Sequence, residues 1–384
     1  MKKTRPIHVL HLVLSLHVGG AERVVCTLVK GRSEIVGHSV CCLDAMGSLG
    51  HELAATGVRI DCLPRAPGVD WGLAYRLRRY CQRHHVDIIH AHGETPWFYA
   101  ALASFCFPWK RVHCMTTIHG YGGGDRQQLR GYGLWKFLAL LSAKVVFVSK
   151  IFEQELNAAG INQNKTVTIP NGIVNPAPCT ETSEASVLKR QYAIEEDTFV
   201  IGIVARLSPI KNHALLLKAV RRLIDRTNRP VRLLVVGDGP ELATLENLST
   251  ELGLADHVVF CGEHTDVAPY YHLFDAFVLP SFSEGISMTI LEAMAAKVPV
   301  IASEVGGNVE IIRHGKNGLL FPSGDLQILV ERLQTIMNNS QLVEQLVREG
   351  HTTVTTTFNM ESMLQAYRRV YNEICGQQLF AGKR

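Results

Sequence analysis

Residues 277–292 read Phe277-Val278-Leu279-Pro280-Ser281-Phe282-Ser283-Glu284-Gly285-Ile286-Ser287-Met288-Thr289-Ile290-Leu291-Glu292. Phe277 to Pro280 is a short apolar run that ends on a loop, which predicts a buried strand. Ser287 to Lys297 has the pattern of a helix. Glu284 then stands at a strand's carboxyl end, and Glu292 lies about two turns into the following helix. In an open parallel sheet that edge is where ligands bind. Two carboxylates so close in sequence first suggest acid/base chemistry of the glycoside-hydrolysing kind. They share one loop–helix unit, however, whereas that chemistry needs carboxylates on opposite sides of a bond.

The same strand–loop–helix rhythm runs along the whole chain. Strands are predicted at 7–14, 38–43, 58–62, 86–90, 112–118, 144–148 and 166–169, then at 198–204, 231–236, 257–260, 276–279, 298–301 and 318–321. Amphipathic stretches fill the gaps, as at 21–30, 211–226, 240–252 and 324–338. Such alternation means α/β architecture, with parallel sheets covered by helices on both faces. A chain of 384 residues is long for one domain. The Pro-, Gly- and Asn-rich run Ile169 to Pro178, with the polar stretch Cys179 to Ala185 after it, marks a linker. Two doubly wound domains facing each other would enclose a deep cleft. A last amphipathic helix spans Met360 to Ile374, with Met363, Leu364, Tyr367, Val370, Tyr371 and Ile374 on its apolar side.

The composition, 47% apolar and 19% charged, suits buried cores, and no apolar run has the ~20 residues of a membrane span. Pro6, His8 and His11 interrupt the N-terminal apolar run, which argues for a first strand over a signal peptide and places the chain in the cytoplasm. The ten cysteines form no Cys-x-x-Cys pair and are expected to be buried free thiols. The net charge of +4 divides into +9 for residues 1–178 and −5 for the remainder. A basic first half suits an anionic membrane surface or a phosphorylated acceptor. No recognisable nucleic-acid-binding module accompanies it.

Several strand ends carry residues suited to chemistry. Gly19-Gly20-Ala21-Glu22-Arg23 opens a helix, and paired glycines there let backbone amides approach an anion; a tight turn without a ligand accounts for them as well. Arg206 ends the strand at 198–204, and Lys211 sits at the start of the next helix, where a cation opposes the dipole. An anion between them, such as a diphosphate, resolves that conflict; the plain alternative is two solvated loop cations. His119 follows the strand at 112–118, ahead of a glycine-rich loop, Tyr121 to Arg126, suited to moving over a ligand. His90-Ala91-His92 has metal-ligand character, but no third ligand is evident at suitable spacing. No Asp-x-Asp occurs, so a metal holding a nucleotide diphosphate through paired aspartates is not supported. Turns at Gly237-Asp238-Gly239-Pro240 and Cys261-Gly262-Glu263-His264 could line a base and ribose pocket, or be ordinary strand-to-helix turns.

In the first half, Trp71 to His85 predicts a helix with Leu73, Leu77 and Cys81 facing the core and Arg76, Arg79 and Arg83 sharing another face. A basic amphipathic helix can rest on an anionic bilayer; a solvated helix on a doubly wound domain fits equally. Phe105 to Arg111 is a second apolar-basic patch.

Taken in order, Gly19 to Arg23, His90-Ala91-His92, Thr117 to Gly120, Ile169 to Gly172, Gly202 to Leu207 with Lys211-Asn212, Val236 to Pro240, and Pro280 to Glu284 with Glu292 to Ala295 resemble the retaining GT-B glycosyltransferases of family 4 over nearly the whole chain. The resemblance implies two Rossmann-like domains across a cleft: 1–178 for the acceptor, 179–358 for the nucleotide sugar, and 359–384 as a helix returning to the first domain. It implies that Arg206 and Lys211 hold the donor diphosphate, with the Met288 and Thr289 amides on the distal phosphate and Gly19 and Gly20 beneath it. Glu292 would bind the ribose, while Glu284 and His119 would contact the transferred sugar. Ser287 departs from the family in standing where many members have Gly. The implied activity is metal-independent transfer of a hexose or N-acetylhexosamine, without a cofactor, from a UDP-linked donor to a lipid-linked or glycan acceptor in bacterial cell-surface glycan synthesis. A peripheral position on the inner face of the cytoplasmic membrane would follow. Rival readings are a non-hydrolysing sugar-nucleotide epimerase and a two-lobed sugar-binding protein.

Overall fold

The computed structural model describes residues 5–31, 33–105, 112–120, 125–174 and 183–376. It separates into two compact units, Met1–Asn171 with Met360–Arg384, and Gly172–Asn359. The division thus falls at Asn171, ahead of the expected boundary at 178. The cause is local: the Ile173 amide donates to the Phe358 carbonyl at 2.9 Å, and Ile173 bridges Asn359, so the chain after Asn171 is already tied to the second unit. The expected glycine-rich loop at Tyr121–Gly124, residues 106–111 of the apolar-basic patch, and linker residues 175–182 lie outside the described residues.

In the N-terminal unit, β1 (Ile7–Ser15), β2 (Val36–Ala45), β3 (Ile60–Cys62), β4 (Ile88–His92), β5 (His113–Ile118), β6 (Lys144–Phe147) and β7 (Thr166–Thr168) form a parallel sheet in the order β3-β2-β1-β4-β5-β6-β7. These strands read as near-continuous apolar runs because both faces of the sheet are covered. In β1, Ile7, Val9, Leu10, Leu12 and Val13 are all buried. Leu10, Leu12, Ile89 and Ala91 join one core cluster with Leu77 and Trp97 from flanking helices.

Pleating sends the alternate residues to the other face. His11 lies opposite His90 in the β1–β4 register, His38 lies opposite Val9, and His92 lies opposite Thr117. One sheet face therefore gathers His11, His38, His90, His92 and Thr117. The C-terminal helix Met360–Ile374 packs over it, with Met363, Leu364, Tyr367, Val370 and Tyr371 buried. At its far end Lys144 pairs with Glu373 at 2.9 Å.

The C-terminal unit repeats the plan. Strands β8 (Phe199–Val204), β9 (Val231–Val236), β10 (Val258–Gly262), β11 (Ala276–Leu279), β12 (Val300–Ser303) and β13 (Leu319–Phe321) form a parallel sheet in the order β10-β9-β8-β11-β12-β13. Both sheets reverse direction beside their first strand, between β1 and β4 and between β8 and β11. The crevice at the carboxyl ends of such a pair is the preferred ligand position in doubly wound folds.

Among the described residues no helix is long and apolar enough to cross a membrane. Cys26, Cys41, Cys42, Cys81 and Cys114 are buried free thiols, whereas Cys62 is exposed; its three-residue strand is the outermost of the sheet.

Candidate active site

The β8/β11 switch point of the C-terminal unit brings together residues far apart in sequence. The chain leaves β8 through Ala205, exposed Arg206 and a one-turn 3-10 helix, Pro209–Lys211. The sequence reading placed Lys211 at the start of the long helix, but that helix begins at His213. Asn212 between them takes a left-handed φ of 53°, a conformation Asn tolerates better than most residues. The kink turns Lys211 away from the helix axis.

It turns toward Glu284. The Lys211 ammonium donates to Glu284 Oε1 at 2.6 Å, and the Ser281 hydroxyl donates to the same oxygen at 2.6 Å. Glu284 is only 8% exposed, so this pair is largely desolvated. Its other oxygen has no bond to a described residue and remains an open acceptor. The sequence reading set an anion between Arg206 and Lys211 against two solvated loop cations; in the structure the carboxylate that meets Lys211 is the protein's own Glu284. The Arg206 guanidinium pairs with no described residue.

Three loops brace Glu284. The Phe282 amide donates to the Ile210 carbonyl at 2.8 Å, joining the loop after β11 to the Lys211 turn. On the other side the Gly307 amide donates to the Glu284 carbonyl at 3.1 Å. Gly306, at φ 44°, lies so close that a Cβ there would sit 2.1 Å from the same carbonyl oxygen. Ser303 donates to the Ser281 carbonyl at 2.6 Å and fixes the loop from below.

Ser287 caps the helix Met288–Ala295 by accepting from the Ile290 amide. The helix is shorter than the expected Ser287–Lys297, since Lys297 takes a left-handed φ of 61° after it ends. The amides of Met288 and Thr289 have no carbonyl one turn earlier to bond, and they add positive potential beside the Lys211–Glu284 pair. One turn on, Glu292 Oε2 accepts from the Tyr271 hydroxyl at 2.9 Å, which sets the side chain's direction.

Of the turns expected around a base, Gly237 and Gly262 are brought together, the Gly237 amide donating to the Gly262 carbonyl at 2.8 Å. A Cβ on Gly237 would meet the Ala205 carbonyl oxygen at 2.1 Å, so this glycine serves the packing of the β8 and β9 loops. Glu263 is exposed, and half-buried His264 bonds Tyr270 through Nε2 at 2.7 Å. His213, missed in the sequence, is buried with both ring nitrogens unpartnered among the described residues. Burial holds it neutral, with its pKa lowered to about 4.

In the N-terminal unit the expected residues also lie at carboxyl ends of strands. Gly19 caps the helix Gly20–Lys30 after β1 in extended backbone (φ −172°), and the Glu22 carboxyl folds over it. His119 follows β5. Its Nε2 lies 3.0 Å from His92 Nδ1, while its own Nδ1 is buried and has no partner among the described residues. The third imidazole that sequence spacing did not reveal is His11, whose Nδ1 lies 3.0 Å from His92 Nε2. One nitrogen each from His11, His90 and His92 falls within 4.8 Å of the others. His90 already spends both nitrogens, on the Tyr371 hydroxyl at 2.9 Å and on Thr117 Oγ1 at 2.7 Å. Hydrogen bonding therefore accounts for its orientation.

Sequence reasoning missed Tyr271, Gly306 and Gly307 as well, and it quoted Ser281 within the Pro280–Glu284 motif without giving it a role. The paired glycines at a strand-to-helix turn carry the signal that flagged Gly19-Gly20. Tyr271 carries no such signal.

Comparisons with known proteins agree with this geometry. Residues 185–353 match the profile of the glycosyl transferases group 1, and residues 18–174 match that of glycosyltransferase family 4. The chain is 26% identical over 312 residues to N-acetyl-alpha-D-glucosaminyl L-malate synthase of Bacillus anthracis, covering 80% of each chain. It is 24% identical to the UDP-Gal:alpha-D-GlcNAc-diphosphoundecaprenol alpha-1,3-galactosyltransferase of Escherichia coli, over 69% of this chain and 70% of that one. In fold it matches Anabaena Alr3699/HepE, solved in complex with UDP and glucose, with a TM-score of 0.83 at 23% identity, over 96% of this chain and all of that one.

Proposed function

Because this chain belongs to the family 4 (group 1) glycosyltransferases of GT-B fold, we propose that it transfers a hexose or N-acetylhexosamine from a UDP-sugar to a lipid-linked or glycan acceptor in cell-surface glycan synthesis. The reaction is retaining and needs no metal. The observation that carries this reading is the Lys211–Glu284 pair beside the open amides of Met288 and Thr289, at the carboxyl edge of a switch point. The UDP and glucose of Alr3699/HepE and the diphosphoundecaprenol acceptor of the Escherichia coli relative lend it support.

As the anomeric bond breaks, negative charge grows on the distal phosphate. Lys211, Arg206 and the two amides stabilise that charge through fixed positive groups. Lys211 exchanges its carboxylate partner for phosphate, and the open oxygen of Glu284 accepts from a sugar hydroxyl. Glu292, oriented by Tyr271, takes the ribose hydroxyls, and the Gly237, Gly262, Glu263 and His264 turns lie toward the base. For the N-terminal unit the reading assigns Gly19 and Gly20 to the diphosphate, once Glu22 swings aside, and His119 to the sugar. The leaving phosphate takes the acceptor proton on the front face, so Glu284 positions the sugar without attacking it.

The acceptor falls to the N-terminal unit. On the helix Trp71–Arg83, Trp71 and Tyr75 are 70% and 50% exposed, beside exposed Arg79 and Arg83. Arg76 is held by Asp70 at 2.9 Å, which leaves Arg79 and Arg83 as the freer cations for an anionic membrane surface on the cytoplasmic side. Flotation with anionic liposomes at low salt tests that part.

A panel of sugar nucleotides, scored by nucleoside diphosphate release with and without chelator, tests the whole. Transfer that keeps the anomeric configuration and survives chelation is expected. An epimerised donor, or binding without turnover, overturns the reading.

A further inference from the structure

Four imidazoles in the N-terminal unit are joined nitrogen to nitrogen. His38 Nδ1 meets His11 Nε2 at 3.0 Å, His11 Nδ1 meets His92 Nε2 at 3.0 Å, and His92 Nδ1 meets His119 Nε2 at 3.0 Å. Each link pairs the Nδ1 of one ring with the Nε2 of the next, so the sequence of atoms never reverses. A neutral imidazole carries one N–H and one acceptor nitrogen. Every link needs one of each, so the four tautomers are bound together. Either all four rings are protonated on Nδ1, or all four on Nε2. The inner end is His119 Nδ1, buried and unpartnered among the described residues; the outer end is half-buried His38.

We propose that His38, His11, His92 and His119 form one polarised hydrogen-bond relay whose tautomer fixes His119 as an Nδ1–H donor to an oxygen of the bound nucleotide sugar. His119's place at the donor rests on the functional reading above; the relay itself does not.

The polarity follows from the surroundings. Arg368, on the C-terminal helix, acts electrostatically on His38. A cation at the outer end favours N–H bonds that point away from it, toward His119. That is the Nδ1–H state. The groups that bear on the relay are His8 on β1, His90 on β4, Thr117 on β5, and Tyr367, Arg368 and Tyr371 on the C-terminal helix. None of these is a carboxylate; exposed Glu361, which pairs with Arg368 at 3.6 Å, does not itself act on His38, so no anion invites an extra proton. Burial lowers the pKa of His11, His90 and His92 well below the ordinary value and that of His38 and His119 to about 4, which keeps the rings neutral. His90 stands outside the relay, its nitrogens engaged by Tyr371 and Thr117.

The test is nitrogen-15 NMR of histidine-labelled full-length protein near pH 7.5, with steady-state kinetics on the same samples. All four rings are expected in the Nδ1–H form. His38→Leu removes the outer link without touching a fully buried position. It should return His92 and His119 to mixed tautomers and lower kcat about tenfold with KM within about twofold. His38→Asn, which retains a donor near the Nδ1 position, should restore most of both. Arg368→Met, which leaves all four rings in place, should shift the tautomers toward Nε2–H and lower kcat in proportion. Rings protonated on Nε2, tautomers that vary independently, or a His38→Leu protein with unchanged tautomers and kcat would overturn the relay. So would stoichiometric zinc or cobalt bound at His11, His90 and His92, detected by metal analysis and cobalt absorption. Absence of any turnover by the unaltered protein would refute the functional reading while the tautomer spectra still decide the relay.

Discussion

The Lys211 ammonium lies 2.6 Å from Glu284 Oε1, across 73 residues of sequence. Lys211 is 24% exposed at its side chain and Glu284 8%. In such surroundings removing one partner leaves a poorly solvated charge behind, and that cost outweighs the worth of the pair itself. Lys211→Met should therefore destabilise the C-terminal unit by about 3 kcal/mol and abolish donor turnover. Glu284→Gln keeps the shape and the Ser281 contact, so its stability loss should be smaller while turnover still falls. Urea unfolding and nucleoside diphosphate release measure the two effects.

Arg206 gives the opposite pattern. It is exposed and unpaired with described residues, so Arg206→Ala should change stability by less than about 0.5 kcal/mol. If it meets the diphosphate, kcat/KM should fall on the order of 100-fold. Loss of activity without loss of stability separates a ligand-binding cation from a structural one, and unchanged kinetics would remove Arg206 from the site.

Gly306 and Gly315 make a matched pair. Both have positive φ, 44° and 72°, but a Cβ on Gly315 meets open space while one on Gly306 meets the Glu284 carbonyl oxygen. Gly315→Ala should cost only the backbone strain, about 1 kcal/mol, and leave activity intact. Gly306→Ala should cost more and displace the loop that carries Glu284, which predicts loss of turnover. Equal effects in the two variants would show that the bracing is not specific.

The histidine-rich face predicts acid lability. The unfolded chain binds protons on these rings near pH 6.5, and the folded unit resists doing so. Stability is thus unaffected above about pH 6.5, falls as pH drops below it, and levels off only below the folded value, about 4 for His38 and His119. At pH 5 the linkage costs about 2 kcal/mol for His119 alone. Melting of the N-terminal unit should drop steeply between pH 6.5 and 5, and His119→Asn should flatten that slope.

Tyr271→Phe should leave the fold intact, since the ring packs on Phe274 and Phe277. It removes the 2.9 Å hydrogen bond that the Tyr271 hydroxyl gives Glu292. If Glu292 binds the ribose, the KM for the donor should rise severalfold with kcat little changed.

Much of the candidate site was legible because strand ends in a parallel sheet are legible. Arg206, His119 and Glu284 each follow an apolar run by a few residues, and Gly19-Gly20 stands at a strand-to-helix turn. Ser281, Tyr271 and Gly306 were not legible as a group. Tyr271 gains its role from the Glu292 carboxylate 21 residues on, Gly306 from lying against the backbone carbonyl of Glu284, and Ser281 from bonding the Glu284 carboxylate within its own loop. Lys211 was singled out for a partly mistaken reason: it does not open the helix after β8, because left-handed Asn212 separates it from a helix that begins at His213.

By itself the sequence determined the two doubly wound units, their strands, the amphipathic C-terminal helix and the family. Burial periodicity and turn chemistry are local, and local patterns survive without coordinates. The tertiary structure decided which strands are neighbours, and with that everything that depends on pairing. Strand order set β8 beside β11 and so Lys211 against Glu284. The registers of β1, β2 and β4 put His11, His38, His90 and His92 on one face beneath the C-terminal helix, with His11, His90 and His92 buried. His-x-His on its own showed neither the third imidazole nor the fourth, because a parallel sheet joins residues some 80 positions apart and no spacing rule within a segment reaches that far.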